Sequence, residues 1–203
     1  QNTYLACSLR HGLEQPEAGD AISEQERGGD QAVERGILAE DSKKGARTHA
    51  RIGFSDESAF SDKPTVRKTW APRGKTPILK VPGGWITRSV ISLMTCSPSG
   101  QRPRLYFKIL KGPVNTEIFL RFLMDMKRTL GGKKLILIID NLRVHKAKLV
   151  SKYLATQKRW LTVEYLPPYA PELNPVEYVW SSRKHKEFGN AVIVDLRTLD
   201  RRI

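Results

Sequence analysis

Leu135-Ile136-Leu137-Ile138-Ile139-Asp140 is the stretch on which the reading of the fold turns. A continuous apolar run of this length, closed by an acid, is read as a strand buried on both faces, the kind found where helices cover a parallel sheet. Arg51-Ile52-Gly53-Phe54-Ser55-Asp56 alternates apolar and polar residues in strand fashion. Strand parity puts Ile52, Phe54 and Asp56 on one face and Gly53 and Ser55 on the other, and Ile136, Ile138 and Asp140 share a face in the same way. Each run therefore carries a carboxylate that continues an apolar face, which is costly unless the acid is paired or metal-bound. A single strand-terminal Asp ordinarily ends its strand or caps the next turn. Two of them, on strands able to lie side by side, point to a shared cation.

The rest of the chain is organised around these two runs. Pro64, Pro72, Gly74 and Pro77 punctuate a turn region around Trp70, after which Trp85 to Cys96 and Leu105 to Leu110 read as further strands joined by hairpins. Asn115 is read as the N-cap of an amphipathic helix with Ile118, Phe119, Phe122, Leu123, Met126 and Leu130 at helical spacing, stopped by Gly131-Gly132. Residues 145–158 are again helical, Leu161 to Leu166 is a last short strand, and Pro167 to Pro175 is too proline-rich for helix or central strand. A helix begins at Asn174/Pro175. Antiparallel hairpins followed by βα units give an α/β fold with a mixed sheet flanked by helices.

The 203 residues suffice for one domain with its own core, and a mean hydropathy of −0.43 with 28% charged residues describes a globular chain. No apolar block approaches the roughly 20 residues of a membrane-spanning helix. Residues 1–10 hold no basic flank or apolar core of a secretion signal, so an intracellular address is expected. Cys7 and Cys96 form neither a disulfide framework nor a zinc spacing, which leaves oxygen or imidazole for any metal. Residues 1–48 carry six Lys/Arg against nine Asp/Glu, whereas residues 49–203 carry 29 against 12, a net of +17. Basic residues spread through a folded region, not gathered in a tail, favour nucleic acid as the partner. Residues 1–48 show no sustained apolar pattern and are expected to be poorly ordered, with a short helix over residues 31–40 as the exception.

Mg²⁺ typically takes one or two carboxylates and completes its shell with water and phosphate oxygens, and a third acid is expected where two metals clamp a displacement at phosphorus. Glu164, Glu172 and Glu177 all follow Asp140 within reach; Glu177 is best placed, because it opens a helix directly after the proline-stiffened loop.

Four motifs, in order, resemble the DDE transposases, and most nearly the bacterial insertion-sequence branch of the Tc/mariner superfamily. They are Phe54-Ser-Asp56-Glu57-Ser58; Thr69-Trp70-Ala-Pro-Arg-Gly74-Lys-Thr-Pro77; Ile139-Asp140-Asn141 with His145-Lys146-Ala147; and Leu166-Pro-Pro-Tyr-Ala-Pro-Glu-Leu-Asn174-Pro175-Val176-Glu177-Tyr178-Val179-Trp180. The resemblance implies an RNase H-like fold, here a mixed five-stranded sheet over residues 49–203, behind a degenerate N-terminal segment, residues 1–48. It implies a catalytic triad, Asp56, Asp140 and Glu177, holding two Mg²⁺ or Mn²⁺ ions. It further implies metal-dependent cleavage and transfer of DNA strands, with double-stranded DNA (transposon ends and target) and a second copy of the chain as partners, in the bacterial cytoplasm at the nucleoid. His145 resembles the family's histidine downstream of the second Asp and is expected at substrate phosphate or a water near the metals, or simply at a helix start; Asn141 is expected to orient Asp140 or make a turn. By parity Glu57 points away from Asp56 and is expected to be structural. Trp70 and Trp180 are expected as core anchors, and Lys146, Lys148, Lys152 and Arg159 as one solvated helix face.

Residues 1–48 lack the pair of helices with which family members read terminal repeats, and residues 181–188 fit the pattern poorly, so a truncated element is expected. The rival to catalysis is a catalytically silent, basic nucleic-acid-binding remnant on the same fold.

Overall fold

The computed structural model describes residues 5–8, 40–64, 70–73, 75, 78–81, 86–168, 170–191, 193 and 195–203. In chain order they form β1 (Leu5–Ser8), α1 (residues 40–48), β2 (Arg51–Ser61), β3 (Thr87–Cys96), β4 (Arg104–Leu110), α2 (Thr116–Thr129), β5 (Leu135–Ile139), α3 (Lys148–Thr156), β6 (Leu161–Tyr165), a 3₁₀ turn (Pro171–Leu173), α4 (Pro175–Glu187) and α5 (Leu196–Arg202). The sheet order is β1-β4-β3-β2-β5-β6. Strands β2, β3 and β4 are antiparallel neighbours, whereas β2, β5 and β6 run parallel. The five expected strands are present, and β1, pairing antiparallel with β4, adds a sixth at the edge.

The parallel register of β2 on β5 sets the site. Arg51 faces Leu135 and Phe54 faces Ile138. Continued for two residues, the same offset brings Asp56 level with Asp140. Asp56 does not end its strand: β2 runs on to Ser61 while still paired with β3, with Asp56 opposite Ser92. Strand β5 stops at Ile139, so Asp56 stands where β2 loses its parallel neighbour and the sheet opens.

Two apolar layers hold this sheet. On one face Leu93, Leu135, Leu137 and Ile139 pack against Phe119, Phe122 and Met126 of α2 and Val150 of α3. On the other, Ile52, Phe54 and Ile138 lie with Val176 and Trp180 of α4 and Leu199 of α5. Asn115 caps α2 by accepting from the Ile118 N–H, and Gly131 and Gly132 end it with φ of 62° and 67°, a left-handed turn that only glycine enters freely.

Several local expectations shift. The helix expected over 145–158 is shortened to Lys148–Thr156, because the chain from Asp140 first turns to carry His145 back beneath the strand ends, its N–H donating to the Leu142 carbonyl. Lys146 and Arg159 therefore lie outside α3, and the four cations do not form one helix face. Trp180 is a core residue, stacked edge-on against Phe60 at 5.8 Å, but Trp70 is fully exposed and anchors nothing. Helix α5 was not expected; its apolar content is too small for a periodic signal, although Asp195 accepts from the Thr198 N–H as an N-cap. The short helix expected over residues 31–40 lies outside the described residues except for Glu40, which belongs to α1; Thr69, Gly74, Thr76, Pro77 and Tyr169 of the quoted motifs also lie outside them.

Trp180 fastens α4 to the sheet through Phe60, and its buried indole N–H has no hydrogen-bond partner among the described residues. Trp180→Ala is expected to cost about 3–5 kcal/mol in urea unfolding, as large aromatic truncations do. Trp180→Phe, which removes the unpartnered donor and keeps a ring against Phe60, is expected to cost less than half of that.

Candidate active site

Asp56 is held at the sheet opening by the strands on either side of it. Ser55 Oγ donates to the Ser92 carbonyl at 2.7 Å and Ser92 Oγ donates to the Asp56 carbonyl at 3.2 Å, so paired hydroxyls lock β2 to β3 on each side of the acid. The Asp56 side chain is buried, and its Oδ2 has no hydrogen-bond partner among the described residues. Burial first, then the charges of Glu177, Glu57 and Asp140, push its carboxyl up to about 7.

Asp140 stands one residue beyond β5 with its side chain 41% exposed. Its Oδ1 accepts from the Leu142 N–H at 3.1 Å and lies 2.8 Å from His145 Nδ1, which also lies 3.3 Å from the Asp140 main-chain carbonyl. Burial works to raise its carboxyl, but these two bonds and the imidazole charge outweigh it and hold Asp140 below its ordinary value. His145 has no exposed surface, lies with its ring 4.4 Å from that of Phe119, and donates from Nε2 to Glu57 Oε1 at 3.1 Å. Burial disfavours its charged form, yet the two carboxylates win and push it up to about 9. His145 is thus turned into the protein, between Glu57 and Asp140. Parity does point Glu57 to the opposite face from Asp56, as expected; what it meets there is His145, a partner that strand alternation alone does not reveal.

Glu177 enters from α4. Asn174 is the N-cap, accepting from the Val176 N–H, with Pro175 at the first helical position. The same Asn174 donates from Nδ2 to the Ser55 carbonyl at 3.2 Å, which ties the start of α4 to β2 one residue before Asp56. Glu177 is exposed in the first turn, and its charge is the strongest of those acting on Asp56. The competing acids lie elsewhere: Glu164 is paired with Lys44 of α1, and Glu172 is exposed in the 3₁₀ turn. Asn141 does not touch the Asp140 carboxylate; its Nδ2 donates to the Leu166 carbonyl at 2.5 Å, joining the end of β5 to the entry of the proline loop. Lys146 Nζ lies 5.0 Å over the Tyr165 ring at the same rim.

Among the described residues no group of three or more His, Cys, Asp or Glu side chains is gathered closely enough to hold a metal ion. The donor set nonetheless suits a hard cation. It offers carboxylate oxygens, one of them buried without a hydrogen bond, in mutual repulsion that a cation relieves, and Mg²⁺ needs only one or two carboxylates with water completing its shell.

Residues 51–200 match the model of the DDE superfamily endonuclease family. No curated protein matches the chain significantly. Among solved structures, the Mos1 transposase paired-end complex with left transposon end superposes with a TM-score of 0.58 at 20% identity, covering 95% of this chain and 56% of that one. The mariner Mos1 paired-end complex with Mg gives 0.59 at 20% identity, covering 95% and 57%. The catalytic domain of Mos1 mariner transposase gives 0.52 at 19% identity, covering 91% and 82%. The chain spans little more than half the length of the first two. These likenesses establish an RNase H-like fold.

The carboxyl of Asp56 is raised in the fold above its ordinary 3.8, so its contribution to stability is complete below about pH 4 and is lost as pH rises through about 7. Metal-free Asp56→Asn is therefore expected to be more stable than the wild type at pH 8, on the order of 2–4 kcal/mol, with the advantage vanishing near pH 4. His145, also raised, adds stability that is full below about pH 6.5 and lost through about 9. Thermal melts of wild type, Asp56→Asn and His145→Phe between pH 4 and 9.5 check both signs; a wild-type melting temperature that rises with pH from 6.5 to 9 overturns them.

Proposed function

The chain belongs to the DDE superfamily endonuclease family, and on that premise we propose that it is the catalytic domain of a transposase that cleaves and transfers DNA strands with divalent metal ions. The observation that carries this reading is the parallel register of β2 on β5, which faces Phe54 to Ile138 and, continued two residues, brings Asp56 level with Asp140, with the charge of Glu177 bearing on Asp56. Asp56, Asp140 and Glu177 are the residues to hold two Mg²⁺ or Mn²⁺ ions. Bound there, the ions supply charge neutralisation at the phosphate and lower the pKa of a water or a 3′-hydroxyl for in-line attack. The protein's own part is positioning: β2 and β5 fix two carboxylates level with each other, and Asn174 and Trp180 fix the helix that bears the third.

Double-stranded DNA, as transposon ends and target, is the substrate this reading requires, and the +17 balance of residues 49–203 supports it. The four motifs support the finer assignment to the bacterial insertion-sequence branch of Tc/mariner elements, and with it a nucleoid-associated homodimer acting at TA targets. Among the described residues no helix is long and apolar enough to cross a membrane.

A nicking assay on short DNA duplexes with Mg²⁺ or Mn²⁺ tests the proposal. Cleavage is expected to depend on the metal and to fall by orders of magnitude in Asp56→Asn, Asp140→Asn and Glu177→Gln. In Glu164→Gln and Glu172→Gln it should survive. Glutamine can keep the helix-capping role of a glutamate at the third position of α4, so Glu177→Gln should change metal-free stability by no more than about 0.5–1 kcal/mol. Salt-sensitive DNA binding without cleavage under any metal condition overturns the catalytic reading in favour of the silent remnant.

A further inference from the structure

Strand β2 carries two consecutive acids, and each has a different bearing on the site. Asp56 faces the opening directly. Glu57 points through the sheet, where its Oε1 accepts from His145 Nε2 at 3.1 Å, while His145 Nδ1 turns to Asp140, 2.8 Å from its Oδ1 and 3.3 Å from its main-chain carbonyl. We infer that Glu57 is a positioning residue for Asp140, acting through His145 to commit Oδ1 of that carboxylate to the protein and leave Oδ2 for a cation; the inference rests on the metal-site reading above.

Three observations carry it. A ring that donates at both nitrogens is held in orientation as well as position, and Phe119 at 4.4 Å together with complete burial leaves His145 no other place to turn. Asp140 follows the last residue of β5 with its side chain 41% exposed, so no packing fixes its carboxylate, and the bonds from His145 and the Leu142 N–H supply that hold. Finally, the buried Oε2 of Glu57 has no hydrogen-bond partner among the described residues. A glutamate placed only to complete the core would satisfy both oxygens or be replaced by an apolar residue, whereas this one leaves an oxygen unpaired to keep its single bond to His145. Through this link one strand sets both aspartates, Asp56 by its backbone and Asp140 by a side-chain chain of two bonds. Carboxylates that orient a metal ligand through a second group commonly change metal affinity when removed, without contacting the ion.

The test is Mn²⁺ affinity of the full chain, measured by calorimetry or by the paramagnetic signal of free Mn²⁺, beside metal-free melting and the kcat and KM of DNA nicking. Glu57→Ala is expected to weaken Mn²⁺ binding about 10- to 100-fold and to lower kcat at subsaturating metal with little change in KM for DNA. Glu57→Gln, whose Oε1 still accepts from His145, should retain most of the affinity. His145→Phe, an aromatic exchange against Phe119, cuts the same link from the other side and carries the test if Glu57→Ala does not fold. The double variant should be no weaker than the worse single one, since both act through one chain. Wild-type Mn²⁺ binding left unchanged by a folded variant overturns the positioning role alone. A wild type that binds no Mn²⁺ overturns the metal-site reading and this inference with it.

Discussion

The parallel pairing of β2 with β5 is the constraint on which the molecule depends. Because the side-chain period of a strand is two residues, one register alone puts Ile52, Phe54 and Ile138 into a common layer under α4; a slip by one residue turns every one of them to the opposite face. That register also decides which acids meet. With Phe54 level with Ile138, the same offset continued brings Asp56 level with Asp140, just past the end of β5. Parallel strands gather their functional groups at the carboxyl ends in this way because the crossover connections leave that end free.

The site so formed is electrostatically unfavourable by itself. Asp56 is buried near Glu177, Glu57 and Asp140, and its carboxyl rises accordingly. The compensation lies in rigid neighbours: Ser55 and Ser92 lock the β2–β3 pair, Asn174 ties α4 to the Ser55 carbonyl, and His145 balances Asp140 and Glu57. Apolar packing on both faces offsets the cost of holding these acids. The opposite shifts of Asp56 and Asp140 follow from the same arrangement, since Asp140 has an imidazole beside it whereas Asp56 is buried and the charges acting on it are those of acids. Local conflict of this kind, within an otherwise consistent fold, is where function is expected to sit.

Within the described residues, several acids outside this cluster are held in structural ion pairs. Glu164 answers Lys44, Asp125 lies with Arg128 and Lys108, and Arg88 pairs with Asp200 to fasten α5 against β3. None of these pairs involves a side chain at the opening. The division separates carboxylates that hold the fold from carboxylates that the fold holds.

What the amino-acid sequence determined by itself was local and periodic. The five-residue run Leu135–Ile139, the alternation ending in Asp56, the amphipathic spacing of α2 and the Asn-Pro start of α4 each follow from side-chain period, capping and proline chemistry, which act within a few residues. The family motifs named the three acids, and parity placed two of them on matching faces. Tertiary structure alone decided what those side chains touch. That β2 continues past Asp56, that Asn174 reaches the Ser55 carbonyl, that Trp70 is exposed while Trp180 is buried, and that His145 joins Glu57 to Asp140 all depend on strand order and register. Glu57 and His145 stand 88 residues apart in the chain, and no local rule couples them; their bond exists because α2 and the turn after β5 enclose the imidazole beneath β2.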